Sequence, residues 1–253
     1  MGFTSHKRHL IAGNWKMNEL LGEAKDLVTE LGENPAQDHV EVALMPPYTL
    51  LHPLSDLLEE RNIRLGAQNV YFEPQGAFTG SISPLMLRDA GCHYVIIGHS
   101  ERRDIMGETN EQIRAKLHAS WETGLEPILC IGEHLDERES GETNAVLRSQ
   151  LVVLEGAPEN APITVAYEPV WAIGTGKTAS PEQVTETHEF IHEELTRLGM
   201  DCRVLYGGSV NPGNAEELMG CPGVEGALVG GASLNADSFS AIIQGASNVA
   251  NRT

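Results

Sequence analysis

The 253-residue chain is short of positive charge: 17 lysines and arginines stand against 36 aspartates and glutamates, a formal net charge of −19. A nucleic acid is held through its phosphates by a basic face, so no nucleic-acid partner is expected. The acids spread over helical stretches such as Glu19 to Glu33 and Glu182 to Glu194, which reads as a solvated surface. Composition alone does not separate this from salt adaptation. Long apolar runs are also missing, so no membrane span is expected. The start, Met1 to His9, carries basic residues with no apolar stretch behind them. No secretory signal is expected, and the expected location is cytoplasmic. A myristoylation reading of Gly2 fails because His6 stands where a Ser or Thr is wanted. Cysteine is scarce: Cys92, Cys130, Cys202 and Cys221 form no close pair, and Cys92 and Cys130 lie in or beside core strands. Packed, reduced thiols are expected. No Gly/Ser-rich linker and no break in composition divides the chain, so residues 1–253 are read as one domain.

What the sequence does have is eight short apolar runs: His9–Ala12, Val40–Met45, Ile63–Gly66, Tyr94–Gly98, Pro127–Ile131, Ile163–Tyr167, Arg203–Tyr206 and Ala227–Val229. They are near-continuous rather than alternating, the pattern of strands buried on both faces. Helical spacing fills the gaps, as in Leu20, Ala24, Leu27, Val28 and Leu31, or Ile113, Leu117 and Trp121. Ser100 before Glu101 and Ser180 before Pro181 read as helix starts, and Gly199 as a stop. Eight strand–helix units in about 250 residues predict a single closed (β/α)8 barrel. An open doubly wound sheet would offer Gly-x-Gly-x-x-Gly after an early strand, but strand one runs into Gly13-Asn14-Trp15-Lys16.

The polar residues of chemical interest fall just past strand ends. Asn14 and Lys16 follow strand one, His99 strand four, Glu168 strand six, Gly207-Gly208-Ser209 strand seven and Gly230-Gly231 strand eight. A barrel brings all of these to one mouth, where barrel enzymes build their sites. Glu168 is a candidate base. His99 is a candidate hydrogen-bond donor beside a helix start, which disfavours the imidazolium. Lys16 suits an anion, and glycine pairs at neighbouring strand ends expose N–H groups that cradle a phosphate. Each alone is usually a cap, a turn or a solvated charge. Together they suit proton abstraction next to a carbonyl in a small phosphorylated substrate.

Two other motifs are decoys. Gly174-Thr175-Gly176-Lys177-Thr178 looks like part of a P-loop, but Trp171 holds the place of its first glycine. His188-Glu189-Phe190-Ile191-His192 matches a zinc-protease pattern, yet its helix follows strand six and belongs on a charged outer ring. A chance match is expected, with no metal.

Read in order, Ala12-Gly13-Asn14-Trp15-Lys16-Met17-Asn18, Gly66-Ala67-Gln68-Asn69, Ile97-Gly98-His99-Ser100-Glu101-Arg102-Arg103, Cys130-Ile131-Gly132-Glu133, Ala166 to Thr178, Tyr206 to Val210 and Leu228 to Ser233 closely resemble the triosephosphate isomerase family, from about Leu10 to about Gln244. The resemblance implies interconversion of dihydroxyacetone phosphate and D-glyceraldehyde 3-phosphate, a step of glycolysis and gluconeogenesis, through an enediolate and without cofactor or metal. It implies that Asn14 and Lys16 contact substrate, that His99 is the electrophile and Glu168 the base, and that Gly174, Ser209, Gly230 and Gly231 hold the phosphate. A glutamate base beside a neutral histidine is a known worked case for this family. The resemblance further implies a flexible lid over Glu168, with Trp171 turning towards Glu133 on closure. It also implies a homodimer through the loop at residues 71–83, which would bring Thr79 near the partner subunit's site. Asn110 and Glu225 stand where members often carry Asp, so the salt links there are expected to differ.

Overall fold

The computed structural model describes residues 8–32, 35, 39–173 and 178–252. The readings on Gly2 and His6, and on Gly174, Gly176 and Lys177, lie outside the described residues. Strands β1 (His9–Asn14), β2 (Val40–Met45), β3 (Arg64–Ala67), β4 (Tyr94–Ile97), β5 (Glu126–Ile131), β6 (Thr164–Tyr167), β7 (Arg203–Tyr206) and β8 (Gly226–Val229) pair in parallel, in sequence order, and β8 closes on β1. The expected strands match to within two residues at either end. Around them lie α1 (Leu21–Glu30), α2 (Tyr48–Glu59), α3 (Pro84–Asp89), α4 (Ser100–Asp104), α5 (Asn110–Glu122), α6 (Leu135–Glu139), α7 (Thr143–Leu151), α8 (Pro181–Arg197), α9 (Ala215–Met219) and α10 (Ala236–Ala250). The helix signals act as read at two places: Ser180 Oγ accepts the Gln183 N–H at 3.3 Å with Pro181 in the first turn, and Gly199 stops α8 at φ +72°. Ser100 is not a cap. His99 holds that position, its ring accepting the Glu101 N–H, and Ser100 becomes the first helical residue.

The apolar residues sort into two layers. Ile11, Val42, Leu44, Val95, Leu129, Val165 and Val204 face the helices, while Leu10, Ala12, Ala43, Met45, Ile96, Ile128, Cys130, Ala166, Leu205 and Leu228 fill the bore. Alternation along each strand puts a third set at the N-terminal end of the bore. There Arg203 donates to Glu41 (2.9 Å), Glu126 (3.2 Å) and the Tyr94 hydroxyl (2.8 Å), and the Thr164 hydroxyl donates to Glu126 (2.7 Å). The barrel is thus plugged at one end by a charged layer, filled in the middle by hydrocarbon, and lined at the other end by the residues of chemical interest.

All four cysteines are buried thiols. Among the described residues no helix is long and apolar enough to cross a membrane. Asn110 keeps its link as a hydrogen bond from Arg103 (2.9 Å), and Glu225 accepts the Val204 N–H (2.9 Å).

Candidate active site

Asn14 ends β1, and the chain then turns sharply, with Lys16 at φ +53°. A lysine rarely adopts that conformation, and here its surroundings impose it. The Asn14 carboxamide accepts the Lys16 N–H at 3.1 Å, and Gln68 Nε2, at the end of β3, donates to both Lys16 O and Met45 O at 2.8 Å. The turn aims the Lys16 ammonium across the mouth onto Glu101 Oε1 at 2.6 Å. A side chain at Gly230 would come within 3.6 Å of Lys16 Cε, so the cation lies beside the end of β8.

Glu168 follows β6 and is almost wholly buried. Its Oε2 accepts the Ser100 N–H at 2.9 Å, and its Oε1 lies 3.0 Å from His99 Nε2. Burial opposes its charge, but His99 and the Ser100 N–H outweigh burial and hold the carboxyl below its ordinary value. For His99, burial disfavours the imidazolium, and the Glu168 carboxylate outweighs it, so the ring sits above its ordinary value. The helix start was expected to disfavour the imidazolium; the carboxylate in contact acts the other way and is the stronger influence. The helix start still acts, because the Glu101 N–H donates to Nδ1 at 3.2 Å and so places the ring proton on Nε2, facing Glu168.

The two glycine pairs differ. Gly207 N–H donates to Tyr167 O at 2.7 Å and is not open to a ligand, and any side chain there would meet Glu168 Cγ. Gly231 starts a short helical turn, Gly231–Leu234, and faces open space. Ser209 stands just past β7, with its carbonyl held by Asn214 Nδ2 at 3.0 Å. Gly174 lies outside the described residues. The mouth therefore collects Asn14, Lys16, His99, Glu168, Ser209, Gly230 and Gly231 on one rim, with Lys16, Glu101, His99 and Glu168 in one chain of contacts.

The sequence model of the triosephosphate isomerase family matches residues 9–246. The chain is 50% identical to the triosephosphate isomerase of Carboxydothermus hydrogenoformans over 250 residues, covering 94% of this chain and 99% of the relative. It is 49% identical to that of Rhodopirellula baltica (95% and 98% covered) and 51% identical to that of a Roseiflexus species (92% and 96% covered). The chain belongs to the triosephosphate isomerase family.

In this triosephosphate isomerase family member the partners of Glu101, and those of Glu133 beyond the expected Trp171, were not legible from the sequence. Glu101 holds the Lys16 ammonium and, through its N–H, the His99 ring. Glu133, wholly buried, accepts from Trp171 Nε1 (2.9 Å), the Tyr167 hydroxyl (3.1 Å) and Arg138 (3.3 Å) through one oxygen. The Trp171–Glu133 contact expected on closure is present, with Glu168 resting on the Ser100 N–H. The His188/His192 motif also has a structural use. His188 is buried rather than on a charged outer face, with burial taking its ring down to about 3. His188 Nδ1 (3.1 Å) and His192 Nε2 (2.9 Å) converge on the Gly223 carbonyl, holding the turn that leads into β8. Among the described residues no cluster of three or more His, Cys, Asp or Glu forms a metal site.

Proposed function

We propose that the chain interconverts dihydroxyacetone phosphate and D-glyceraldehyde 3-phosphate through an enediolate, with Glu168 as the base and His99 as the electrophile. The observation that carries this is the buried contact between the Glu168 carboxylate and His99 Nε2, beside Lys16 at the barrel mouth. The substrate carbonyl oxygen takes the place of Glu168 on the Nε2–H, which releases the carboxylate to turn to the neighbouring C–H. Glu168 removes that proton, and the Nε2–H and the Lys16 ammonium stabilise the negative charge that grows on oxygen. His99 passes its Nε2 proton to that oxygen and takes the proton of the neighbouring hydroxyl, which moves the negative charge to the other oxygen. Glu168 then returns the carbon-bound proton to the adjacent carbon, and the charge collapses into the new carbonyl. Once the carboxylate has left its contact with Nε2, the pull that raises His99 weakens, and the Glu101 N–H on Nδ1 favours a neutral ring. Asn14 orients substrate and fixes the turn that carries Lys16. Gly174, Ser209, Gly230 and Gly231 hold the phosphate through N–H groups. The chemistry needs neither metal nor cofactor.

The reading takes residues 1–253 as one catalytic domain, supported by a single core layer that runs from Ile11 to Ala246. It includes a homodimer through residues 71–83. The loop is closed at its stem by Tyr71 N–H to Ile82 O at 2.9 Å and braced by Tyr71 rings against Phe72 and Phe78 at 4.4 and 4.7 Å. Its tip stays exposed, together with Met17, Leu20, Ile105 and Met106 at 67–95% exposure. Met106 shares a groove with Tyr71, Phe72 and Ile82 of the loop, and exposed hydrocarbon at a stiffened loop fits a protein interface. A coupled assay with D-glyceraldehyde 3-phosphate tests the function: turnover that disappears in Glu168→Gln is expected, and an inactive, folded protein overturns the proposal.

A further inference from the structure

Glu168 is placed by its backbone as much as by its side chain. Its N–H donates to Ile131 O at 2.7 Å, extending the β5–β6 ladder by one step. Next to it lies Gly132, packed so closely that a Cβ there would overlap the Glu168 carbonyl oxygen. Gly132 has no strand partner on its other side, since the last β4–β5 pair is Ile97 with Leu129. Its peptide groups are satisfied by one side chain from outside the barrel. Gln150, on α7, accepts the Gly132 N–H through Oε1 at 2.8 Å and donates to the Gly132 carbonyl through Nε2 at 2.9 Å. A primary amide offers a donor and an acceptor in that fork without titrating, and it does here what a neighbouring strand would do.

The base also has slack behind it. A cavity of about 20 Å³ lies between Glu168, Ser100, Arg103, Cys130, Gly132 and Gln150, room for roughly one water. A shift of Gly132 therefore has room to carry the base with it.

We infer that Gln150 is a positioning residue for catalysis, setting the place of the Glu168 carboxylate by clamping both peptide groups of Gly132. The inference rests on the assignment of Glu168 as the base. Gln150→Leu keeps the bulk and removes both hydrogen bonds. Since misplacing a catalytic group by about 1 Å costs on the order of a hundredfold, kcat is expected to fall between about tenfold and a hundredfold. KM should stay within about twofold, because the substrate-holding groups are untouched. Gln150→Glu supplies a signature that mere helix docking would not give. Its carboxylate cannot donate to the Gly132 carbonyl, but its protonated form can donate and accept as the amide does. The ratio of its kcat to that of the parent should therefore rise as pH falls. Leu147→Ala, in the same helix, should lower Tm and leave kcat unchanged when assayed well below melting.

The inference is overturned if Gln150→Leu keeps parental kcat, if Leu147→Ala loses as much kcat, or if the Gln150→Glu ratio is flat with pH. Should Gln150→Leu not fold, the Gln150→Glu profile decides alone. Parental kcat in Glu168→Asp would defeat the assignment of the base. Loss there, with Gln150→Leu unaffected, would defeat only the role of Gln150.

Discussion

Replacing Arg203 by Met tests the charged plug at the N-terminal end of the barrel. Arg203 is buried and holds Glu41, Glu126 and the Tyr94 hydroxyl at 2.9, 3.2 and 2.8 Å. Met keeps much of the volume but leaves two carboxylates facing one another, with Arg64 no nearer to Glu41 than 3.6 Å. Breaking a buried ion pair from one side costs about 3–5 kcal/mol. At about 2–4 °C per kcal/mol for a protein of this size, Tm should fall by roughly 6–20 °C. The pH dependence gives the sharper test. In the parent, burial raises the Glu41 carboxyl, but Arg203 outweighs it and the value lies below the ordinary one. A depressed carboxyl contributes stability above the ordinary carboxylate range, and that stability is lost as pH falls through the folded value. In Arg203→Met the burial remains and the partner is gone, so the Glu41 carboxyl rises and takes up a proton more readily. The variant is then penalised most at about pH 8, and the Tm gap should narrow towards about pH 5.5. Calorimetry across that range measures it. A gap below about 2 °C, or one that widens towards acid, would refute the reasoning. kcat/KM measured below melting should be unchanged, because the layer lies at the far end of the bore from Lys16 and Glu168.

Glu168→Asp retracts the carboxylate by one methylene, about 1.5 Å. It should lower kcat by about a hundredfold, near 2.7 kcal/mol of barrel-mouth transition-state stabilisation, with a modest change in KM; turnover near the parent's would remove Glu168 from the role. Shortening residues 72–79 should convert a dimer to monomers by light scattering and abolish activity, an expectation contradicted by a fully active monomer. Deleting Ile173 to Gly176 should leave the barrel folded by circular dichroism, slow isomerisation steeply and release methylglyoxal and phosphate from the intermediate. Slow turnover without that elimination product would show that the lid does not protect the enediolate.

The sequence by itself determined the barrel and the rim of its mouth. Eight apolar runs at regular spacing have few ways to bury both faces, and closure places whatever follows each strand on one rim. Asn14, Lys16, His99, Glu168, Ser209, Gly230 and Gly231 could therefore be collected without coordinates. The sequence did not show contacts between residues far apart in the chain. Glu41, Arg64, Glu126 and Arg203 lie within or beside apolar runs, and only the register of β2, β3, β5 and β7 turns them into one neutralised layer. Glu101 read as an ordinary helix-start acid until the φ of Lys16 brought the ammonium to it across 85 positions. For His99 the sequence offered only the helix start, and the carboxylate 69 positions later, in contact with Nε2, pulls its ring the other way. The His188/His192 pair became a clamp on Gly223 because helix α8 turns those two rings inward. Local signals set elements and their ends, since propensity and capping act over a few residues. Charge state and positioning depend on distances of about 3 Å between segments, and those exist only once the chain has closed into a barrel.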